Sequence, residues 1–358
     1  MIQQLVKTPL KSYPVYVGPG AIEVLPDFLK NHLKKLTKIL VITDENVGKL
    51  YLSNVVGSLN DYRVETMIVP SGEAAKTFDI YYECQTAALN HQLDRHSLII
   101  ALGGGAVGDL AGFVAATFMR GIPFIQIPTT ILAHDSAVGG KVAINHPKGK
   151  NMIGAFYQPE AVIYDTDFLS SLPQHEKRSG FAEVIKHGLI QDHSFYNWLR
   201  DHIVSLDTIS EENLVTFLSR GIEIKSSIVS QDEKETGVRA YLNFGHTLAH
   251  AIEAELGYGK TTHGEAVLIG MVFALQLSEK YAGLKINSHE LLIWLETLGY
   301  QTKLPEGLSF DSLIGRMKSD KKSIDGQIRF VLLNEIGSPQ IYELSEEEIL
   351  VALKDFSK

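Results

Sequence analysis

In the first half of the chain, apolar residues come in short unbroken runs separated by stretches of helical period. Lys38-Ile39-Leu40-Val41-Ile42-Thr43 reads as a buried strand ending at Asp44-Glu45-Asn46. Residues 64–69 repeat the pattern and lead into Pro70-Ser71-Gly72-Glu73, residues 77–90 have helical spacing, and 97–102 form a third strand. A glycine-rich turn and a helix follow, then a strand at 123–127 and a short one at 161–164. Strands separated by helices imply parallel pairing with helices on the faces. From about Phe168 onward the period becomes helical, with one strand-like run at 327–333 after Asp325-Gly326. The pattern predicts an α/β N-terminal domain with a parallel, Rossmann-like sheet over residues 1–170. A mainly α-helical C-terminal domain is expected over 171–358, with a ligand cleft at the junction.

Composition changes this picture little, and charge narrows it. A 45% apolar and 21% charged chain of 358 residues suits two soluble globular domains and argues against disorder. The formal net charge of -9 gives no general attraction for polyanions, so nucleic acid is not an expected partner. An anionic small substrate would have to be met by cations gathered in a cleft. The single cysteine, Cys84, allows neither an intramolecular disulfide nor a thiolate metal cage. With no secretory signal apparent at the N-terminus, a cytoplasmic protein is expected. The longest apolar run, 97–119, approaches membrane-spanning length, but it holds Asp109 and five glycines. A strand, turn and helix explain it better than a membrane span.

Candidate chemistry begins with histidines. His246 and His250 share a face near the start of a helix marked by Leu248, Ala251, Ile252 and Leu256. His263 arrives in a Thr-Thr-His-Gly-Glu turn before another apolar helix over 266–281. Three imidazoles so placed could converge on one divalent cation. With 13 histidines in the chain, however, a pair four apart is weak evidence, and satisfied helix histidines are the plainer explanation.

Gly103, Gly105 and Gly108 satisfy G-x-G-x-x-G between a strand and a helix, where backbone can approach a pyrophosphate. The ribose-binding acid expected about 20 residues on falls near Pro128-Thr129, neither acidic; Asp44 is the substitute candidate. Ser71-Gly72-Glu73-Ala74-Ala75-Lys76 reads alone as a helix cap. Thr129 and Thr130 end a strand where ligands usually sit. Lys141 and Lys150 lie beside glycines in a polar loop and suit either solvent or an anion. Glu183 and Lys186 would be a surface pair, except that Phe181, Val184 and Ile185 around them suggest burial. Lys225, Arg239 and the run Asp320-Lys321-Lys322 would otherwise pass as solvated charges.

Singly these signals are weak; in order they are specific. SGEAAK at 71–76, GGGAVGD at 103–109, MRG at 119–121 and PTT at 128–130 are followed by DSAVGGKVAINHPKGKNMIGAFYQP at 135–159. FAEVIKHG at 181–188, NFGHTLAHAIE at 243–253 and HGEAV at 263–267 complete the series. Over essentially its whole length the chain resembles the 3-dehydroquinate synthase family of sugar-phosphate cyclases. The family's commonest pattern has one more residue between Thr130 and Asp135 than is found here.

The resemblance implies zinc, or cobalt in its place, held by Glu183, His246 and His263, with His250 left as a free active-site imidazole. It implies NAD held by Gly103, Gly104, Gly105, Ala106, Val107, Gly108 and Asp109, with Ser71, Gly72, Glu73, Lys76, Thr129, Thr130, Lys141 and Lys150. Phe168, Leu169, Ser170 and Ser171 belong to the same implied set. Lys141, Asn151 and Lys321 or Lys322 would hold a substrate phosphate, with Arg120 reaching in from a second subunit of a homodimer. Arg239 and Lys225 would hold a carboxylate, while Asp135, Lys186, Asn243 and His250 line the reacting carbons. The implied reaction turns 3-deoxy-D-arabino-heptulosonate 7-phosphate into 3-dehydroquinate and phosphate, through transient oxidation, elimination, re-reduction and aldol closure. Rivals are a metal- and NAD-dependent polyol dehydrogenase, a cyclase for another sugar phosphate, and a non-catalytic nucleotide- or metal-binding regulator.

Overall fold

The computed structural model describes residues 1–257, 259–319 and 327–358; Lys321 and Lys322 lie outside the described residues. The chain forms two compact units, residues 1–172 with 214–234, and residues 173–213 with 235–358.

The first unit is built on a seven-stranded sheet. Its strands are β1 (Ile2–Lys7), β2 (Ser12–Gly18), β3 (Ile39–Asp44), β4 (Val64–Val69), β5 (Leu98–Gly103), β6 (Phe124–Pro128) and, later in the chain, β9 (Ala161–Asp165). They lie in the order β1-β2-β9-β6-β5-β3-β4, and every neighbouring pair is parallel except β1 with β2. β3, β5, β6 and β9 are buried along their whole length, as strands covered on both faces must be. Successive residues serve opposite layers. Ile39 and Val41 pack with α1 (Val24–His32) and α2 (Glu45–Gly57), whereas Leu40 and Ile42 pack with α3 (Phe78–Asn90) and α4 (Gly105–Thr117).

Chain direction across the sheet reverses between β3 and β5. The connection through α2 runs outward to β4, and the one through α3 returns to the other side of β3. Asp44 and Gly103 therefore sit at the carboxyl ends of the two strands flanking the switch point, the usual ligand position in such sheets.

Residues 141–156 depart from expectation. The polar loop expected around Lys141 and Lys150 is an antiparallel ribbon, β7 (Lys141–His146) with β8 (Gly149–Phe156), reached after the one-turn α5 (Ala133–Ser136). Val142 and Ile144 bury themselves with α4, and Gly112 permits this, because a Cβ there would lie 2.4 Å from Val142 Cγ1. Glycine and lysine suggested a loop, but the alternating valine and isoleucine anchor a ribbon. The hairpin of β1 and β2 is likewise an addition to the strands expected from sequence.

The second unit contains α6 (Gln174–Gln191), α7 (His193–His202), α9 (His246–Leu256), α10 (His263–Leu277), α11 (Ser288–Thr297), α12 (Phe310–Ser319) and α13 (Glu346–Phe356). Between α7 and α9 runs α8 (Glu211–Gln231), most of which belongs to the first unit. The strand expected at 327–333 is present as β10 (Ile328–Glu335), but it has an unexpected antiparallel partner, β11 (Ser338–Leu344). α10 starts three residues earlier than its apolar run suggested. Thr262 and Glu265 form a capping box there, so His263 is the first helical residue. Two glycines let α10 touch its neighbours: a Cβ on Gly264 would lie 1.8 Å from Ser179 O of α6, and one on Gly270 would lie 1.9 Å from Gly245 O. Gly245, with φ 81, turns the chain into α9. Among the described residues, no helix is long and apolar enough to cross a membrane.

Candidate functional site

The close approach of α6, α9 and α10 brings one side chain from each together. Oε1 of Glu183 lies 3.5 Å from Nε2 of His246 and 3.5 Å from Nε2 of His263. The three donor atoms fall within 4.8 Å of one another, the one such group of acidic, histidine or cysteine ligands found among the described residues. Ligands about 2.0–2.1 Å from a tetrahedral zinc ion stand roughly 3.3–3.4 Å apart, so the trio fits a single cation.

The rest of the cluster prepares these atoms. The Phe244 carbonyl lies 3.1 Å from Nδ1 of His246, and Oε2 of Glu253 lies 3.1 Å from Nδ1 of His263. An acceptor at each Nδ1 favours a proton there, which would leave each Nε2 able to give its lone pair to a cation at the shared point. The Lys186 ammonium is in contact with Oε2 of Glu183, and both side chains are almost wholly buried. Burial, aided by Lys186, keeps His246 well below the ordinary histidine range, so it stays the neutral imidazole a metal needs. For His263, burial also pulls downward, but hydrogen bonds to Glu183 and Glu253 outweigh it and lift the group to about 9. Two carboxylates around one imidazole favour positive charge, whether proton or metal.

The group that converges contains His246 but not His250, unlike the pair suggested by spacing. The His250 ring stands at 5.5 Å from that of His246 and 6.1 Å from that of His263, beside the cluster and outside the converging group. The surface pairing considered for Glu183 and Lys186 is also set aside by their burial. Arg239 is 1% exposed and Lys225 5%, so neither is a solvated helix charge. Lys225 Nζ reaches Asp135 Oδ2 at 2.9 Å and also the Asp135 carbonyl. Asn243 donates to Glu235 Oε1 at 2.9 Å. Sequence reasoning passed over Glu253, although its place seven residues after His246 and three after His250 put it on their stripe.

At the sheet's switch point, Gly103 ends β5 and Gly104 precedes α4 with no side-chain cap on the helix. The glycines make a tight cradle. A Cβ on Gly104 would meet Thr130 Cγ2 at 2.9 Å, and one on Gly108 would meet Gln126 Oε1 at 2.9 Å. Oγ1 of Thr129 and of Thr130 are buried with no hydrogen-bond partner among the described residues. An uncapped helix start, bare backbone and two orphaned hydroxyls fit the phosphates of a dinucleotide. Ala106 and Val107 follow in the first turn of α4.

The flanking residues form a network. Lys76 Nζ reaches Asp109 Oδ2 at 2.6 Å and Asn151 Oδ1 at 2.5 Å, and Glu73 accepts from Asn145 at 2.6 Å. Burial opposes the Lys76 charge, but Asp109 and Glu73 together raise its pKa. Gly72 has φ 67, and Ser71 Oγ donates to Asp44 Oδ1 at 3.2 Å. That same Asp44 oxygen caps α2 by accepting from the amides of Asn46 and Val47. Phe168 and Leu169 are buried, Phe168 stacks on Tyr51, Ser170 caps its own turn, and Ser171 accepts from the Tyr51 hydroxyl at 2.6 Å. Lys141 and Asn151 are exposed on the ribbon and Lys150 is half-buried. Arg120 is exposed with φ 68.

Residues 66–179 match the 3-dehydroquinate synthase N-terminal family, and residues 180–323 match the 3-dehydroquinate synthase C-terminal family. The 3-dehydroquinate synthase of Geobacillus kaustophilus (strain HTA426) is 55% identical over 361 aligned residues, covering 100% of this chain and 99% of that protein. The chain belongs to the 3-dehydroquinate synthase family. Among solved structures, a 2-deoxy-scyllo-inosose synthase complexed with carbaglucose-6-phosphate, NAD+ and Co2+ matches this family member with a TM-score of 0.91. The two are 25% identical, with coverage of 99% of this chain and 100% of that one. The 2-epi-5-epi-valiolone synthase of Streptomyces hygroscopicus subsp. jinggangensis 5008, with NAD+ and Zn2+ bound, matches with a TM-score of 0.86 at 24% identity, covering 99% of each chain. That second likeness bears on the fold alone. It is the fold expected from sequence, a parallel α/β sheet followed by a helical region.

Proposed function

We propose that this enzyme converts 3-deoxy-D-arabino-heptulosonate 7-phosphate into 3-dehydroquinate and inorganic phosphate, a carbon–oxygen lyase reaction, with NAD and a divalent metal as resident cofactors. The observation that carries the proposal is the convergence of Glu183, His246 and His263, in a chain matched end to end by 3-dehydroquinate synthases. Bound zinc or cobalt would supply Lewis acidity toward a substrate hydroxyl, and NAD would accept a hydride and give it back.

The chain's own residues supply the rest. Glu183, His246 and His263 hold the metal; Gly103–Asp109, Ser71–Lys76, Thr129, Thr130, Lys141, Lys150 and residues 168–171 hold NAD. Arg239 and Lys225 neutralise the substrate carboxylate, and the planar guanidinium of Arg239 suits a bidentate grip. Lys141, Asn151 and one of Lys321 or Lys322 take the phosphate, with Arg120 added by the second subunit of a homodimer. Asp135, already hydrogen-bonded to Lys225, and Asn243 orient the sugar hydroxyls. Lys186 and His250 stand beside the metal trio, where protons must move as the carbon skeleton closes. We assign NAD binding mainly to residues 1–170, and metal and substrate binding mainly to 171–358. A cytoplasmic location suits the lone buried cysteine.

A cyclase for a carboxylate-free sugar phosphate would have no use for Arg239 with Lys225, and a polyol dehydrogenase would release its NADH. Both are tested by incubating the protein with the heptulosonate phosphate while following phosphate release and absorbance of NADH. Stoichiometric phosphate that depends on NAD, stops with chelator and leaves no NADH is expected. Steady accumulation of NADH, or no phosphate from this substrate, would overturn the proposal.

A further inference from the structure

The helix that carries His246 and His250 bears a third polar side chain on the same stripe. Glu253 is 4% exposed, and its Oε2 lies 3.1 Å from Nδ1 of His263 on the neighbouring helix. The other ring nitrogen of His263 lies 3.5 Å from Glu183. One imidazole is thus strung between two buried carboxylates, the first among the metal donors and the second outside them.

Charge gives this second carboxylate a task. Lys186 is in contact with Glu183 and offsets its negative charge. Two neutral imidazoles and that internally balanced pair would by themselves leave a buried dication without net compensation, which a low-dielectric interior penalises. Glu253 restores one negative charge at hydrogen-bond distance from a ligand. The two histidines also differ in kind: the Nδ1 of His246 is held by a backbone carbonyl that no substitution removes, and that of His263 by a side chain.

We propose that Glu253 is a positioning residue for the metal, fixing the tautomer and direction of His263 and supplying the charge that Lys186 cancels, so that it sets the affinity for the divalent cation. The proposal rests on the metal site put forward above, and its test separates the two. Metal-free full-length protein would be titrated with Zn2+ against a chromophoric chelator, and with Co2+ while its visible absorption is recorded. Wild type should bind one cation per chain and Glu183→Ala none. Glu253→Gln keeps the shape but loses the charge; its affinity should fall about 10- to 100-fold, its cobalt spectrum should shift, and the rise in melting temperature on adding metal should shrink. Glu253→Asp, with charge kept and reach shortened, should fall between and serves if the glutamine variant does not fold. A merely structural role would lower the melting temperature equally with and without metal, leaving affinity and spectrum unchanged. That result in Glu253→Gln, or wild-type affinity in Glu253→Asp, overturns the inference and leaves the metal site standing. A wild-type protein that binds no cation overturns both.

Discussion

Gly264 sets the distance between α6 and α10, which carry Glu183 and His263 of the proposed metal site, and replacing it with alanine tests that geometry directly. The new Cβ would lie 1.8 Å from Ser179 O and 2.5 Å from its carbonyl carbon, both backbone atoms of α6 that cannot rotate away. A contact of about 3 Å or more requires the start of α10 to retreat by at least about 1.2 Å. The hydrogen bond from the Gly264 amide to Ser179 Oγ, now 3.1 Å, would break. Overpacking of this kind costs about 1–3 kcal/mol and the lost bond about 1 more, so a fall of roughly 2–4 kcal/mol is expected. His263 stands next to Gly264, and its 3.5 Å approach to Glu183 would widen by a similar shift. A displacement near 1 Å is enough for a loss on the order of 100-fold in catalysis. Gly315 in α12 provides the opposite case, since a Cβ there meets nothing within 4 Å. Gly315→Ala should stabilise by about 0.5–1 kcal/mol through helix propensity, with metal affinity unchanged. Calorimetric unfolding and metal titration of both variants decide the matter. A Gly264→Ala protein with wild-type melting temperature and wild-type zinc affinity would refute the helix-contact account.

Two more predictions concern local structure. Thr262 and Ser345 each close a capping box, at the starts of α10 and α13, so alanine at either should cost about 1 kcal/mol in chemical denaturation. Only Thr262→Ala, which loosens the turn bearing His263, should also weaken metal binding; equal metal affinity in both variants would count against that coupling. Cys84 is fully buried, and burial pushes its thiol up to about 12. A thiol-exchange reagent at pH 8 should therefore label it only after denaturation, and prompt labelling of the native protein would contradict its placement.

The parallel sheet was legible because its strands are buried on both faces, which leaves continuous runs such as Ile39–Ile42 and Ile99–Leu102 in the sequence. The two ribbons were harder to see. β7 and β8 carry glycines and lysines on their open side, and β11 spends most of its length half-buried or exposed, so neither has the unbroken apolar signature. Its partner β10 does, and only β10 was expected. The start of α10 was placed late because the apolar run begins at Ala266. The determining signal was the Thr262–Glu265 spacing of a capping box, which puts His263 inside the helix.

The metal trio shows where residue spacing stops being informative. His246 and His250 are neighbours on a helix, but one helix face is not a coordination sphere; the donors that meet come from three helices, at Glu183, His246 and His263. What brings those helices within reach is the absence of side chains at Gly264 and Gly270, each abutting the backbone of another helix. Either glycine reads locally as a mild helix breaker, and its purpose becomes visible only against Ser179 or Gly245. The same holds for charge. Glu183 and Lys186 look like an i,i+3 surface pair until burial removes the water that would screen them. Once they are buried, Lys186 offsets the charge of Glu183 at close range, and the proposed metal site then calls for a further acid. That need points to Glu253, which its spacing places on the stripe of His246 and His250 without indicating what it serves.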